Sequence, residues 1–169
     1  DNMQKERKYL FEVGNTVMTF EEKDGGMLIS KKGQGEVECP DLLQFSQRSD
    51  SAMTFGMLLP ALGCKYHKLK GLQSLKYKEC NREVALAEHL EKVGASLTKS
   101  EEYWELKADN YQLKSETTFS TYDDHRMAMC VAPLALKQPI RIEDEDVVKK
   151  SYPHFWADMK SVGFTVKKI

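Results

Sequence analysis

Twice in this chain a helical stretch meets a glycine and passes at once into a short strand-like run, at residues 90–97 and again at residues 159–166. A unit of that kind cannot bury its apolar face alone, so it must stack on copies of itself or on a shared sheet. The rest of the sequence keeps the rhythm. Residues 9–13 (YLFEV) and 17–21 (VMTFE) read as strands, Asp24, Gly25 and Gly26 as a turn, and residues 27–29 as a further strand. Residues 31–48 are polar and broken by Gly33, Gly35 and Pro40, which predicts loop or a short edge strand. A helix is expected from residues 49–51 through Leu59, stopped by Gly63, and residues 65–69 (KYHKL) alternate as a strand. The second helix, residues 82–92, shows one apolar face (Val84, Ala85, Leu86, Ala87, Leu90) and ends at Gly94. Strands follow at 95–98 and 103–107. A third helix over 124–136 is apolar almost throughout and therefore buried. Next come a strand at 140–142, an amphipathic helix opened by Pro153 and closed by Gly163, and a last strand at 164–166. The alternation is α/β, or α+β, in kind.

With 169 residues the chain can bury one real core. Its 25 basic and 26 acidic residues leave a net charge of −1, so no global field recruits nucleic acid or an acidic membrane. An anion would have to be held by a local cluster. No apolar run nears the roughly 20 residues of a membrane span, and the charged start, DNMQKERKYL, is not followed by the apolar segment of a signal peptide. It lacks an initiator methionine, which fits a chain cut from something longer. Cys39, Cys64, Cys80 and Cys130 form neither CxxC pairs nor zinc-ligand spacing with the histidines. Cys64 and Cys130 lie in or beside apolar runs, so reduced core thiols in a cytoplasmic protein without metal are expected.

Chemistry concentrates where helices begin. Lys78, Glu79 and Arg82 sit at the start of the second helix, where free backbone N–H groups already favour an anion. Alone, such a string is more often a solvated turn. Residues 121–129 (TYDDHRMAM) place a dense polar patch at the mouth of an apolar helix, with Asp123 or Asp124 as N-cap and His125 and Arg126 in the first turn. His125 by itself reads as an ordinary hydrogen-bonding residue, but Arg126 opposes the helix dipole and is expected mainly where an anion binds. Lys149 and Lys150 precede the last helix. Asp50 precedes the first, where a plain N-cap is the simplest role. Parallel helices would bring these four starts to one anion site.

The same strings resemble a known family. TYDDHRMAM at 121–129 closely resembles the D-H-R-M-A-M signature of the 5-enolpyruvylshikimate-3-phosphate (EPSP) synthases, the 3-phosphoshikimate 1-carboxyvinyltransferases. YKECNREVALAEHLEKVGA at 77–95 is similar to the family's K-E-T-D-R segment and following helix, SDSAMTFGMLLPAL at 49–62 to its P-D-A-A-M-T helix, and KKSYPHFWADMKSVG at 149–163 to its closing lysine-proline segment. The matches keep the family's order and spacing over residues 45–167.

The resemblance implies a two-domain enzyme built from repeated β-α-β-α-β-β units, with helices packed on mixed four-stranded sheets and the active site in the cleft between domains. Residues 1–169 would be part of the C-terminal domain, with 1–45 a strand-rich lead-in and 46–169 the motif-bearing repeats. The implied reaction moves the enolpyruvyl group of phosphoenolpyruvate to the 5-hydroxyl of shikimate 3-phosphate and releases phosphate, without metal or organic cofactor. Catalytic roles fall to Asp50 as base at the 5-hydroxyl, Glu79 as proton donor and acceptor at the methylene carbon, and Lys78 near the shikimate phosphate and the reacting atoms. Arg82 and Arg126 would grip the phosphoenolpyruvate carboxylate, Lys150 would lie near its phosphate, and His125 would support by hydrogen bonding. Ser74 stands where the family often has an asparagine on the shikimate phosphate. Other departures are Cys80 and Asn81 in place of threonine and aspartate, and Ser49 in place of proline.

Further expectations follow from the resemblance. The partners are the two substrates and a separate N-terminal domain, with no nucleic acid and no membrane; the complete protein is a monomer and this stretch alone is inactive. Two other readings remain open: a relative of the UDP-N-acetylglucosamine enolpyruvyl transferases, and a non-catalytic binding domain of the same fold.

Overall fold

The computed structural model describes residues 18–23, 26–31 and 39–168. The strand expected at 9–13 and most of the turn at 24–26 lie outside them. The chain divides into two compact units, Asp1–Pro40 and Asp41–Ile169. In the first, β1 (Met18–Lys23) and β2 (Gly26–Lys31) form an antiparallel pair with Met18 opposite Lys31 and Lys23 opposite Gly26.

The second unit begins with β3 (Leu42–Gln44), the short edge strand expected there. Then come α1 (Ser51–Ala61), β4 (Tyr66–Lys70), a 3-10 turn (Leu75–Tyr77), α2 (Arg82–Lys92), β5 (Ser96–Lys99) and β6 (Trp104–Lys107). The sheet order is β3-β4-β6-β5: β3 and β4 are parallel, as a helical crossover requires, and the remaining pairings are antiparallel. This is one complete β-α-β-α-β-β unit on a mixed four-stranded sheet.

A second unit starts in the same way, with β7 (Thr117–Phe119), α3 (His125–Val131), a 3-10 turn (Ala132–Leu136), β8 (Ile140–Ile142), a 3-10 turn (Glu145–Lys150) and α4 (Phe155–Ser161). Again the two strands are parallel across a helix. Strand β7 was not expected; three residues of TTF carry too little periodicity to register. The helix expected over 124–136 is split, because Pro133 has no N–H to return to the carbonyl four residues back. The last helix starts at Phe155, not at Pro153, and buries no residue. Residues 164–166 form no strand: among the described residues nothing lies beside them to complete a ladder.

The core of residues 41–169 joins sheet and helices, with Phe45, Leu59, Leu69, Leu86, Leu90, Leu106 and Phe119 all buried. Gly56 lets α1 approach α2, since a Cβ there would come within 3.2 Å of the Leu86 methyl groups. Gly94 closes α2 at φ +72°, and a Cβ there would meet the Asn110 carbonyl oxygen at 2.2 Å. Ala128, Val147 and Val148 form a further buried cluster, packed by Ile142, Phe155 and Trp156, which fixes the 3-10 turn that ends at Lys150. Cys64 is a half-cystine, which corrects the expectation of a reduced thiol. Cys80 and Cys130 are the free cysteines among the described residues. No helix among these residues is long and apolar enough to cross a membrane.

Candidate active site

Three of the strand-to-helix connections in residues 41–169 meet around one guanidinium. Arg82, the first residue of α2, is only 1% exposed and spends its donors on three carboxylates. Nε donates to Asp124 Oδ2 at 2.7 Å and Nη2 to Asp124 Oδ1 at 3.1 Å, a forked pair buried on both sides. Nη1 donates to Asp50 Oδ1 at 2.6 Å, and Nη2 also reaches Glu79 Oε2 at 2.6 Å. An arginine fits this place because its planar fork can serve several acids at fixed angles.

Asp124 is the N-cap of α3 and wholly buried; its Oδ1 also accepts the Arg126 backbone N–H at 2.9 Å. Burial pushes its carboxyl up, but Arg82 and the Arg126 amide outweigh that and hold it below the usual carboxylate range. The acids in turn hold Arg82 more firmly protonated, despite the burial that opposes its charge.

On this buried pair rests an accessible rim. Asp50 holds the N-cap position of α1, yet its side chain makes no cap bond. The plain capping role expected for it is therefore wrong: its carboxylate faces Lys78 at 3.1 Å, Arg82 at 2.6 Å and Arg126 at 3.4 Å. Charge at this place outweighs one backbone N–H. The side chains of Asp50, Lys78, Glu79 and Arg126 are 30–47% exposed, so an incoming ligand can reach them while Arg82 and Asp124 cannot move away.

Three further expected residues lie one step out. Lys150 Nζ reaches Asp123 Oδ1 at 2.6 Å and its carbonyl oxygen at 3.1 Å. His125 Nδ1 is 4.0 Å from Asp124 Oδ1 and has no hydrogen-bond partner. Ser74 Oγ donates to Ser49 Oγ at 2.8 Å, so two of the positions that depart from the family pattern satisfy one another beside Asp50. The other two departures also have local roles. Asn81 caps α2 by accepting from the Val84 N–H, and the Cys80 thiol leans on Asp124 Oδ2 at 3.4 Å. Burial and the Asp124 charge push that thiol up to about 12, so it offers no thiolate nucleophile at neutral pH.

The sequence pointed to the rim and to Arg82, but not to the buried carboxylate that pairs with Arg82. Asp124 was legible only as a candidate cap; that its carboxylate would turn inward on Arg82 depends on a tertiary contact between α2 and α3. No group of three or more histidine, cysteine or acidic side chains among the described residues could hold a metal.

Comparison with known proteins identifies the family. The family model for EPSP synthase (3-phosphoshikimate 1-carboxyvinyltransferase) matches residues 18–159. A 3-phosphoshikimate 1-carboxyvinyltransferase of Bacteroides fragilis is 34% identical over 147 residues, covering 86% of this chain and 33% of that protein. One of Clostridium novyi is 35% identical over 131 residues, 75% of this chain and 27% of its own length. The chain thus spans about a third of the length of the curated relatives it matches. An EPSP synthase structure from Acinetobacter baumannii superposes with a TM-score of 0.65 at 22% identity, covering 95% of this chain and 39% of that one, which is a likeness of fold. By the length of the family match and the identity to these relatives, the chain belongs to the EPSP synthase family.

Proposed function

We propose that this chain forms one wall of an active site that transfers the enolpyruvyl group of phosphoenolpyruvate to the 5-hydroxyl of shikimate 3-phosphate. The observation that carries this reading is the Asp50–Arg82–Arg126 arrangement: two arginines from different helices share one carboxylate. The carboxylate of phosphoenolpyruvate can take the place of the Asp50 oxygens between them, as forked guanidinium groups favour. Asp50, released from Arg126, then accepts the proton of the attacking hydroxyl. Glu79 gives a proton to the methylene carbon as the new C–O bond forms at the neighbouring carbon. It takes one back as the carbon–oxygen bond to phosphate breaks, and the proton held by Asp50 leaves with the phosphate, so both carboxyl groups end each cycle as they began. Lys78 and Lys150 balance charge on the two phosphates.

The rest of the substrate contacts come from a separate N-terminal domain of a complete, monomeric protein, so the 169-residue chain alone does not turn over. A cytoplasmic setting belongs to the same reading, though the half-cystine at Cys64 removes the thiol argument for it. The test is phosphate release from phosphoenolpyruvate with shikimate 3-phosphate, using the complete protein and its Glu79→Ala variant. Turnover reduced at least about a hundredfold by the substitution supports the assignment. A folded complete protein without turnover would leave a substrate-binding domain of the same fold.

A further inference from the structure

Helix α2 is tied at four places to the segment that leads into α3. Lys92 Nζ donates to the Thr118 carbonyl at 2.9 Å, His89 Nε2–H to the Ser120 carbonyl at 2.9 Å, Tyr122 Oη–H to the Glu88 carboxylate, and Arg82 to Asp124. Helix and segment run past each other in opposite directions, so residues 92, 89, 88 and 82 of α2 meet residues 118, 120, 122 and 124 in turn. The segment needs such fixing. Tyr122 and Asp123 both have positive φ, +52° and +57°, inside a turn closed by the Asp124 N–H on the Thr121 carbonyl at 2.9 Å. Two consecutive left-handed residues without glycine are strained and persist only when their surroundings impose them. The residue that closes the turn is Asp124, on which Arg82 and the Arg126 amide both depend.

His89 is fully buried. Its ring packs edge-on against Phe119, 5.1 Å between centroids, and lies 5.6 Å from the Tyr122 ring. The hydrogen bond to a carbonyl fixes the Nε2–H tautomer and leaves Nδ1 without a partner. The one hydrogen bond this buried ring makes is directed at the Ser120 carbonyl. We infer that Glu88 and His89 are positioning residues: they hold the Tyr122 and Asp123 turn in its left-handed form and so place Asp124, Arg82 and Arg126 for the anionic substrate. Neither touches substrate. The consequence for substrate rests on the function proposed above; the positioning itself does not.

The experiment uses Tyr122→Phe, Glu88→Ala, Glu88→Gln, His89→Leu and the double variant Glu88→Ala/Tyr122→Phe in the complete protein, with two readouts. The first is exchange of the Arg82 Nε–H proton, followed by NMR. Faster exchange by about tenfold or more is expected in Tyr122→Phe, Glu88→Ala and His89→Leu, with Glu88→Gln near the parent, since its amide oxygen still accepts from Tyr122. The double variant is expected to be no worse than either single. The second readout is the kinetic split: KM for phosphoenolpyruvate raised roughly tenfold with kcat changed far less, measured well below each variant's melting temperature. Unchanged Arg82 exchange, or additive effects in the double variant, overturns the positioning role. Changed exchange with unchanged KM overturns the inferred consequence for substrate. If the parent protein shows no turnover, the function reading fails, while the Arg82 signal still decides the positioning claim.

Discussion

The two β-α-β-α units are alike in order and unlike in substance. The first has two helices of 11 residues; α2 buries Arg82, Ala85, Leu86, His89 and Leu90. The second has two helices of 7 residues, and α4 buries nothing. Both place polar residues in the connection from strand to helix, so the repeat supplies the positions. What differs is how firmly they are held. The first unit contributes the immobile cation, Arg82, and the second the more accessible ones, Arg126 and Lys150.

This contrast can be broken most easily at its two ends. Arg82→Leu leaves the Asp124 carboxylate buried without its partner and is expected to cost about 3–5 kcal/mol in urea unfolding. Lys150→Ala, which removes an exposed pair with Asp123, is expected to cost under about 1 kcal/mol. Similar costs for the two would abolish the distinction.

The pH dependence sharpens it. Burial, with Lys92 nearby, lowers the His89 pKa from 6.5 to about 4, so the folded state resists a proton that the unfolded chain accepts. Stability is then complete above about pH 6.5 and falls as pH drops toward 4, by up to about 3 kcal/mol. His89→Gln is expected to flatten that slope in a series of denaturant titrations, and an unchanged slope would assign it to other groups. Asp124, whose pKa is depressed, adds a loss only at still lower pH, as the medium falls through its folded value.

Two smaller effects test packing and the rim. Leu86→Ala, under Gly56, is expected to cost about 3 kcal/mol, against about 1–2 for Phe155→Ala at the half-buried edge of the second unit. Ser74→Ala removes only the bond to Ser49 and is expected to cost about 1 kcal/mol by thermal melting.

The sequence made the first unit's elements readable because its helices are long enough to show a full apolar face and are ended by glycines. Arg82–Lys92 falls where its periodicity places it. The second unit was less legible for reasons of length and context. Thr117–Phe119 is too short to alternate visibly, Pro133 divides an apolar run that looked like one helix, and residues 164–166 have strand-forming side chains but pair with no strand among the described residues. In the site, the clusters of charged residues at helix starts were legible. They could not announce that Asp50 would leave its cap, nor that Asp124 would be the buried partner of Arg82, because both follow from how helices pack. Charge-bearing side chains choose the strongest partner within reach, and reach is a tertiary property.

The central claim is that Asp50 occupies, between Arg82 and Arg126, the place of a substrate carboxylate. A crystal structure of the complete protein with phosphoenolpyruvate and shikimate 3-phosphate tests it most directly. The account predicts the phosphoenolpyruvate carboxylate bridging both guanidinium groups, Asp50 moved from Arg126 toward the 5-hydroxyl, and Arg82 still forked on Asp124. Substrate bound elsewhere, with the Asp50 bridge between the two arginines intact, would contradict it.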